Sequence, residues 1–234
     1  MNNKPISARV ESITPLTDSI LQVFLTPERY IDYQAGQYLE ILSSGSALSY
    51  SIANAPLGSH KYELHIRHSP ENNCSQQLLC EIKNRGVLMI RLPLGDCHLD
   101  KLQEDRPILF IAGGTGFAPI KAMIEQLLAT GDKRTFELFW GARSQSDLYM
   151  NEKVDQWQAH VAQFRYYSLL SNSSKETLAS MVLEQHQVDL KTWQFVIAGH
   201  FDMAYATRDA LVAQGVLREQ LFSDAFSFEG KRGS

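Results

Sequence analysis

The sequence predicts two domains, an N-terminal six-stranded antiparallel β-barrel and a C-terminal α/β domain built on a parallel sheet. The prediction rests on a change of pattern along the 234 residues. Short alternating apolar segments separated by Gly, Pro, Asn and Ser run from Ser7 to about Leu92, whereas strand and helix patterns alternate from Ile108 onward. A charged, irregular stretch from Asp96 to Arg106 separates the two patterns. The expected domains are 1–102 and 103–229.

The N-terminal part contains six segments in which apolar residues alternate with polar ones, as they do in half-buried strands. One stretch differs, because the apolar residues of Cys74–Lys83 recur at helical spacing. We expect this helix to cover one end of a barrel. The six strand segments are ARVESI, ILQVFL, QYLEIL, SYSIA, YELHIR and VLMIRL.

The C-terminal part alternates strand and helix, which is typical of a parallel sheet with helices on both faces. Ligands of such sheets bind beyond the carboxyl ends of the strands. The predicted strands are Ile108–Ala112, Phe136–Trp140, Phe164–Leu169, Phe195–Ala198 and Phe222–Phe226, and the predicted helices are 119–129, 152–160, 175–185 and 203–214.

A glycine-rich turn follows the buried strand that begins at Ile108. Gly113, Gly114 and Gly116 permit a tight bend or the close approach of a ligand, and Pro119 suits the first turn of a helix. The N–H groups at the start of that helix would face a phosphate. The Gly-Gly-x-Gly spacing is neither G-x-G-x-x-G nor a Walker A loop. It leaves two interpretations open, a phosphate site and a plain strand-to-helix turn.

The predicted strand that ends at Ala112 is followed by small residues. Two further predicted strands likewise end in small or charged residues, at 140–143 and at 198–200. Because the carboxyl ends of parallel strands share one edge of the sheet, these three strand ends are expected to line a single crevice.

Composition indicates an ordinary globular protein. Apolar residues make up 44% of the chain and the net charge is −4, so neither disorder nor a nucleic-acid partner is favoured. No segment resembles a signal peptide or a membrane span, and we expect a cytoplasmic protein. The last five residues, 230–234, are interpreted as an appended tail outside the fold.

Cysteine and histidine spacing does not predict a metal site. The three cysteines form no C-x-x-C pair and no iron–sulfur pattern, so free thiols are expected. His65, His68 and His200 lie in separate segments without the spacing of metal ligands.

Seven segments, in this order along the chain, resemble the ferredoxin-NADP reductase superfamily, most closely the small NAD(P)H-flavin reductases of the Fre and LuxG type. They are Tyr33-x-Ala-Gly-Gln-Tyr38, Ser49-Tyr50-Ser51, Glu63-Leu-His-Ile66, Ile111-Ala-Gly-Gly-Thr-Gly116, Trp140-Gly-x-Arg143 with Asp147-Leu-Tyr149, Ile197-Ala-Gly199 with Met203, and Leu221-Phe-Ser-Asp-Ala-Phe226.

The resemblance implies that FAD, FMN or riboflavin binds to the barrel. Tyr50 would contact the flavin, and Ser51 would be the catalytic residue, with its hydroxyl hydrogen-bonded near the hydride-accepting atom N5. Ile52, His65 and Ile66 complete the flavin-binding set that the resemblance implies. Without the resemblance, Tyr50 and Ser51 would be interpreted as an ordinary pair of strand residues.

Leu48 departs from the family pattern, in which an arginine at this position commonly pairs with a flavin phosphate. A leucine cannot form that bidentate contact. We therefore expect weak, exchangeable flavin binding that depends little on the flavin phosphate. Arg67, on the neighbouring strand, could compensate or could be exposed and unused.

For NADPH or NADH, the resemblance implies that Gly113, Gly114, Thr115 and Gly116 hold the pyrophosphate. Arg143 follows the second strand of the sheet, where an arginine can accept a 2′-phosphate and favour NADPH, although it could equally form only an ion pair with Asp147. Hydride transfer requires alignment of donor and acceptor rather than an acid or base. The remaining residues assigned to this site by the resemblance are Gly199, Met203 and Phe226.

Three functions follow. The first is an NAD(P)H-dependent flavin reductase that releases reduced flavin. The second is a flavoprotein reductase component that passes electrons to a separate oxygenase or iron–sulfur protein, because this chain lacks the cysteines of a cluster. The third is a non-catalytic nucleotide-binding module. A monomer is expected by analogy with the family.

Overall fold

A computed structural model describes residues 4–43 and 45–228. The proposed tail at 230–234 lies outside these residues. The chain divides into two compact units. The first contains the residues up to Leu99 together with Lys121–Gly131, and the second contains Asp100–Ile120 and the residues from Asp132 onward. No helix within the described ranges is long and apolar enough to cross a membrane.

The first unit is built on six antiparallel strands, as predicted. The order across the sheet is β4-β3-β6-β1-β2-β5. An antiparallel bridge between Ile52 and Leu64 brings the end of β4 to β5, the strand at the other side of the sheet, and so closes the barrel. The strands are β1 (Ile6–Thr17), β2 (Ile20–Pro27), β3 (Tyr38–Ser43), β4 (Ser46–Ser51), β5 (Tyr62–Arg67) and β6 (Val87–Leu94).

Alternate strand residues fill the barrel interior, because successive strand side chains point to opposite faces. Leu39 and Ile41 of β3 and Leu64 and Ile66 of β5 are fully buried members of this core. The predicted helix is present as α1, Asn73–Arg85. It begins at an Asn72 cap whose side chain accepts from the Ser75 N–H, and it ends at Gly86 in the left-handed conformation.

The second unit carries a sheet of five parallel strands in the order β11-β10-β7-β8-β9, which confirms the predicted α/β domain. Residues 121–130 of α2 belong to the first unit. The strands are β7 (Ile108–Gly113), β8 (Phe136–Ala142), β9 (Phe164–Leu170), β10 (Gln194–Ala198) and β11 (Leu221–Phe222), and the helices are α2 (Phe117–Thr130), α3 (Asn151–His160), α4 (Leu178–Gln185) and α5 (Phe201–Ala213).

The predicted last strand, Phe222–Phe226, is wrong beyond its first residue. β11 pairs with β10 only through Leu221 and Phe222, and Asp224–Phe228 forms a 3-10 helix. The change occurs at Ser223, whose hydroxyl and carbonyl oxygens accept from the N–H groups of residues 225 and 226. Apolar residues at 222, 225 and 226 suit either element, so their pattern did not reveal this serine turn.

Candidate nucleotide and flavin sites

The glycine turn joins β7 to α2 at the carboxyl edge of the parallel sheet. β7 ends at Gly113, and Gly114–Gly116 form one 3-10 turn that runs directly into α2. Gly114 has a φ of +53°, in the left-handed region that favours glycine. The first N–H groups of such a helical run have no carbonyl acceptor within it and can bind an anion. The four residues predicted for the pyrophosphate thus lie together in one turn.

Trp140 holds this turn from the neighbouring strand. Its side chain is fully buried, and its indole Nε1–H donates to the carbonyl oxygen of Gly114 at 3.0 Å. The indole also stacks on Phe117, with ring centroids 4.0 Å apart and planes 15° from parallel. The indole therefore fixes the position of the Gly114 carbonyl group in the turn. From the sequence, Trp140 was expected at the end of a strand and in one of the family-like segments, but this contact was not predicted.

The ends of β7, β8 and β10 lie side by side, as expected. Ala112 is in register with Trp140 on one side and with Ala198 on the other. A Cβ atom on Gly116 would lie 2.1 Å from the Ala198 carbonyl oxygen, so the turn and the end of β10 are in backbone contact.

Gly199 lies against Gly113, and Met203 covers both. A Cβ atom on Gly199 would lie 3.1 Å from the Gly113 Cα, and one on Gly113 would lie 2.9 Å from the Met203 Cε. The structure therefore brings Gly113, Gly116, Gly199 and Met203 together. The lack of a side chain at 113, 116 and 199 thus allows the close packing of the turn against the end of β10.

Arg143 follows β8 at the same edge of the sheet. Its side chain is 64% exposed, and its Nε lies 3.4 Å from the Asp147 Oδ2. The ion pair considered from the sequence is therefore present. An exposed pair of this length contributes little to stability, which leaves the guanidinium available for a ligand. Recognition of a 2′-phosphate stays a prediction.

Phe226 is held by cations within the second unit. The guanidinium carbons of Arg208 and Arg218 lie 5.6 and 4.8 Å from its ring centroid. The Tyr205 hydroxyl donates to the Ala225 carbonyl oxygen at 2.7 Å, which fixes the adjacent backbone. Phe226 also packs against the core of this unit. Its contact with a nicotinamide stays a prediction.

In the barrel, Tyr50 and Ser51 are the last two residues of β4. Tyr50 and Leu48 are partly buried and pack against the barrel core. Burial raises the pKa of Tyr50 to about 12, so its hydroxyl is neutral at physiological pH. Ser51 is half-buried and pairs with Tyr38 of β3. Sequence neighbours on a strand point to opposite faces, so one ligand reaches both side chains only across the end of β4.

Three other residues predicted to bind flavin are buried. Ile52 and Ile66 lie in the barrel core with no exposed surface, so their contact with a flavin stays a prediction. His65 is also buried, and its Nε2 lies 2.9 Å from the Glu63 Oε1. Burial lowers the pKa of His65. Because an ionised carboxylate only accepts hydrogen bonds, Nε2 is the protonated nitrogen of this neutral ring.

A buried polar cluster lies beside β5. Lys121 of α2 donates to the Glu63 Oε2 at 2.8 Å and lies 2.9 Å from the Glu125 Oε1. Burial acts to raise the pKa of Glu63, but the hydrogen bond from His65 and the charge of Lys121 outweigh it and hold the pKa at about 2. This cluster was not predicted from the sequence. The signal was Lys121 itself, a charged residue within the apolar run of a helix.

The cysteines and the side chains that could bind a metal ion are the remaining reactive groups to be considered. Cys74, Cys80 and Cys97 form no disulfide; the first two are exposed and the third is buried. Within residues 4–43 and 45–228, no group of three or more His, Cys, Asp and Glu side chains could hold a metal ion.

Comparison with known proteins extends these observations to nearly the whole chain. Residues 110–209 match the family described as Oxidoreductase NAD-binding domain. The chain is 30% identical over 238 residues to an NAD(P)H-flavin reductase from Aliivibrio fischeri, covering 96% of this chain and 99% of the relative.

Other relatives are longer. Reductase component 1 of terephthalate 1,2-dioxygenase from Comamonas sp. is 34% identical over 216 residues, which cover 89% of this chain and 64% of that protein. The chain therefore spans less than two thirds of the length of this relative. The crystal structure of the Amycolatopsis cytochrome P450 reductase GcoB superposes with a TM-score of 0.81 at 23% identity, covering 94% of this chain and 69% of that chain, and supports the fold.

Proposed function

Because the chain belongs to the ferredoxin-NADP reductase superfamily and, within it, to the small NAD(P)H-flavin reductases, we propose that it catalyses the reduction of a diffusible flavin by NAD(P)H. The observation that most directly supports this proposal is the glycine turn at 113–116. Its backbone lies against the end of β10, and it begins a helical run whose first amide groups have no carbonyl acceptor within the run.

On the nucleotide side, the pyrophosphate would bind to the turn formed by Gly113, Gly114, Thr115 and Gly116. The turn fits this group, because the first N–H groups of its helical run have no carbonyl acceptor within the run and can donate to an anion. Gly199 and Met203 would border the nicotinamide ribose. Arg143, largely exposed, would meet the adenosine end and favour a 2′-phosphate.

On the flavin side, Ser51 would donate a hydrogen bond where negative charge develops, and the ring of Tyr50 would exclude water beside it. When both are bound, the nicotinamide supplies the hydride and flavin N5 accepts it. The position of Ser51 at the end of β4 suits this role, because a hydroxyl there is only half-buried. No acid or base is required of the chain, only the alignment of donor and acceptor.

Leu48 supports flavin as a substrate rather than a permanently bound group. Its side chain packs against the barrel core, so the position supplies no charge for a flavin phosphate. A charge-assisted contact is worth roughly 1.5–3 kcal/mol, and its absence weakens affinity by about 10- to 150-fold. Reduced flavin would therefore leave and serve an acceptor protein elsewhere.

A second function is favoured by one comparison. The relative from Comamonas is named as a reductase component of a dioxygenase. This chain would then retain its flavin and pass electrons to an oxygenase or iron–sulfur protein on a separate chain. For both functions we propose a cytoplasmic location, since NAD(P)H is the electron source, and a monomeric state by analogy with the family.

The deciding experiment is the visible spectrum of the purified protein, followed by NADPH and NADH oxidation with riboflavin, FMN and FAD. A colourless protein that turns over only with added flavin supports the flavin reductase. A yellow protein that added flavin stimulates poorly supports the reductase component. Failure to oxidise NAD(P)H with any flavin leaves only a non-catalytic nucleotide-binding module.

A further inference from the structure

The backbone directly after Ser51 is held by side chains from α2. The Lys121 Nζ donates to the Ala53 carbonyl oxygen at 2.9 Å, and the Glu125 Oε2 accepts from the Ala55 N–H at 3.3 Å. All of these residues belong to the first unit. The segment 52–55, which continues from β4, is therefore fixed at two backbone groups by one face of a helix.

The spacing of the two side chains explains the arrangement. Lys121 and Glu125 lie one helical turn apart, so both project from the same face of α2. The Lys121 Nζ and the Glu125 Oε1 lie 2.9 Å apart. This ion pair orients the Lys121 ammonium toward the Ala53 carbonyl oxygen and the Glu125 carboxylate toward the Ala55 N–H, two residues along the chain. We call this pair the Lys121–Glu125 clamp.

Other contacts complete the fixation of the segment 52–55. The Tyr33 hydroxyl donates to the Asn54 carbonyl oxygen at 2.7 Å, and the Ala53 N–H donates to the Glu63 carbonyl oxygen at 2.7 Å. The Asn54 Oδ1 in turn accepts from the Glu63 N–H at 2.8 Å. With its backbone bound from several directions, the segment has little freedom to shift.

Stability alone does not explain a buried lysine. The Lys121 side chain is 4% exposed, and its ammonium has three partners, Ala53, Glu63 and Glu125. Removing two opposite charges from water is unfavourable, and apolar residues of similar volume often replace buried ion pairs without loss of stability. An apolar side chain cannot donate a hydrogen bond to the Ala53 carbonyl oxygen. The Lys121 ammonium does, and it therefore fixes the position of that carbonyl group.

We propose that the Lys121–Glu125 clamp is the positioning element that fixes the Ser51 hydroxyl for hydride transfer. The inference rests on the proposed function, in which Ser51 donates to flavin N5. Ala53 lies only two residues beyond Ser51, so a displacement of its carbonyl group is transmitted along the extended backbone. Misplacement of a reacting group by about 1 Å lowers rates on the order of 100-fold.

A double-mutant cycle between Lys121→Met and Ser51→Ala tests this coupling. Lys121→Met should lower kcat about 10- to 100-fold in the wild-type background. In the Ser51→Ala background it should lower kcat by less than about threefold, because the hydroxyl that it positions is already absent. Lys121→Arg, which keeps the charge and donors, should recover part of the loss. An equal loss of kcat in both backgrounds overturns the inference.

His186→Gln is the matched control, because it disturbs a buried polar contact of the second unit, between His186 and Glu137. Its effect on kcat should combine additively with Ser51→Ala. Coupling of the control as strong as that of Lys121 would identify general destabilisation as the cause and overturn the inference.

Hydrogen exchange provides a readout that does not require turnover. In Lys121→Met, and in Glu125→Ala if the first variant fails to fold, amide exchange over residues 50–56 should accelerate while α1 keeps its protection. Unchanged exchange over 50–56, or equal acceleration everywhere, overturns the clamp. If Ser51→Ala leaves kcat unchanged, the proposed role of Ser51 is wrong, and exchange alone then decides whether the clamp fixes this segment.

Discussion

The indole Nε1 of Trp140 lies 3.0 Å from the carbonyl oxygen of Gly114, and this hydrogen bond joins β8 to the glycine turn after β7. The turn is thus stabilised by a side chain from the neighbouring strand as well as by its own glycines. Because Trp140 also stacks on Phe117 at the start of α2, one buried residue contacts both the turn and its helix.

Trp140→Phe should weaken NAD(P)H binding selectively. It keeps an aromatic ring but removes the donor to Gly114, and an unsatisfied buried group costs about 1–3 kcal/mol. We expect KM for NAD(P)H to rise about tenfold, the equivalent of 1.4 kcal/mol, with little change in KM for flavin. Trp193→Phe is the control, because that indole donates to Asp189 in the same unit. Equal increases in KM for the two variants would contradict the role of Trp140.

Substitutions of Gly116 and Gly113 by alanine should differ in severity. A Cβ atom on Gly116 meets the Ala198 backbone at 2.1 Å, whereas one on Gly113 meets only the flexible end of Met203 at 2.9 Å. Gly116→Ala should lower the free energy of unfolding by about 1–3 kcal/mol and sharply weaken NAD(P)H binding. Gly113→Ala should cost below about 1.5 kcal/mol. Denaturant unfolding and NAD(P)H titration measure both, and similar losses would refute the close backbone contact.

Local patterns predicted the elements, because covalent geometry sets the two-residue period of strands and the 3.6-residue period of helices. The strand ends at Ala112 and Trp140 were expected at one edge, since the strands of such alternating folds run parallel. Both the barrel and the parallel sheet could therefore be predicted from the sequence. The turn at Ser223 could not, because it depends on side-chain hydrogen bonds that apolar periodicity does not record.

The contacts that support the candidate sites were less predictable. Lys121 and Glu63 are 58 positions apart, and their pairing depends on how α2 packs on the barrel strand. Sequence indicates that a charged residue in an apolar helical run needs a partner, but it does not say which one. His65 shows the same limit, because its predicted contact with flavin took no account of the carboxylate of Glu63 two residues away.

Leu48→Arg should tighten the binding of FMN and FAD relative to riboflavin. Leu48 is partly buried against the barrel core, and an arginine can keep its aliphatic stem there while its guanidinium reaches a phosphate. The expected gain is about 10- to 150-fold in affinity for the phosphorylated flavins. Leu48→Met, which adds length without charge, should leave this preference unchanged. Equal tightening of all three flavins by the arginine would show that the phosphate does not pass this residue.

Arg143→Ala should raise KM for NADPH more than KM for NADH, by about 10-fold or more, if the guanidinium binds a 2′-phosphate. Asp147→Asn separates this role from the ion pair, because it removes the partner carboxylate and leaves the arginine. That variant should keep or improve the preference for NADPH. Parallel losses with both nucleotides in Arg143→Ala would assign the residue to the ion pair with Asp147.

A second buried cluster should make the stability of the α/β domain depend on pH. The His186 Nε2 lies 3.0 Å from the Glu137 Oε2, and its Nδ1 lies 3.1 Å from the Asp189 Oδ1. Burial acts to lower the pKa of His186, but the hydrogen bonds that its ring donates to the two carboxylates outweigh it and raise the pKa above its usual value.

Because the folded-state pKa of His186 is raised, the imidazolium contributes stability fully below the unfolded pKa of about 6.5, and this contribution is lost as the pH rises through the folded pKa. His186→Gln should therefore reduce the free energy of unfolding most near pH 6, by about 1.5–3 kcal/mol, the worth of hydrogen bonds to charged groups. The difference from wild type should shrink as the pH rises above 6.5. Urea unfolding at several pH values between about 5.5 and 8.5 measures it, followed by the fluorescence of Trp193, whose ring centroid lies 4.7 Å from that of His186. A difference that stays constant across this range would mean that the pKa of His186 is the same in the folded and the unfolded protein.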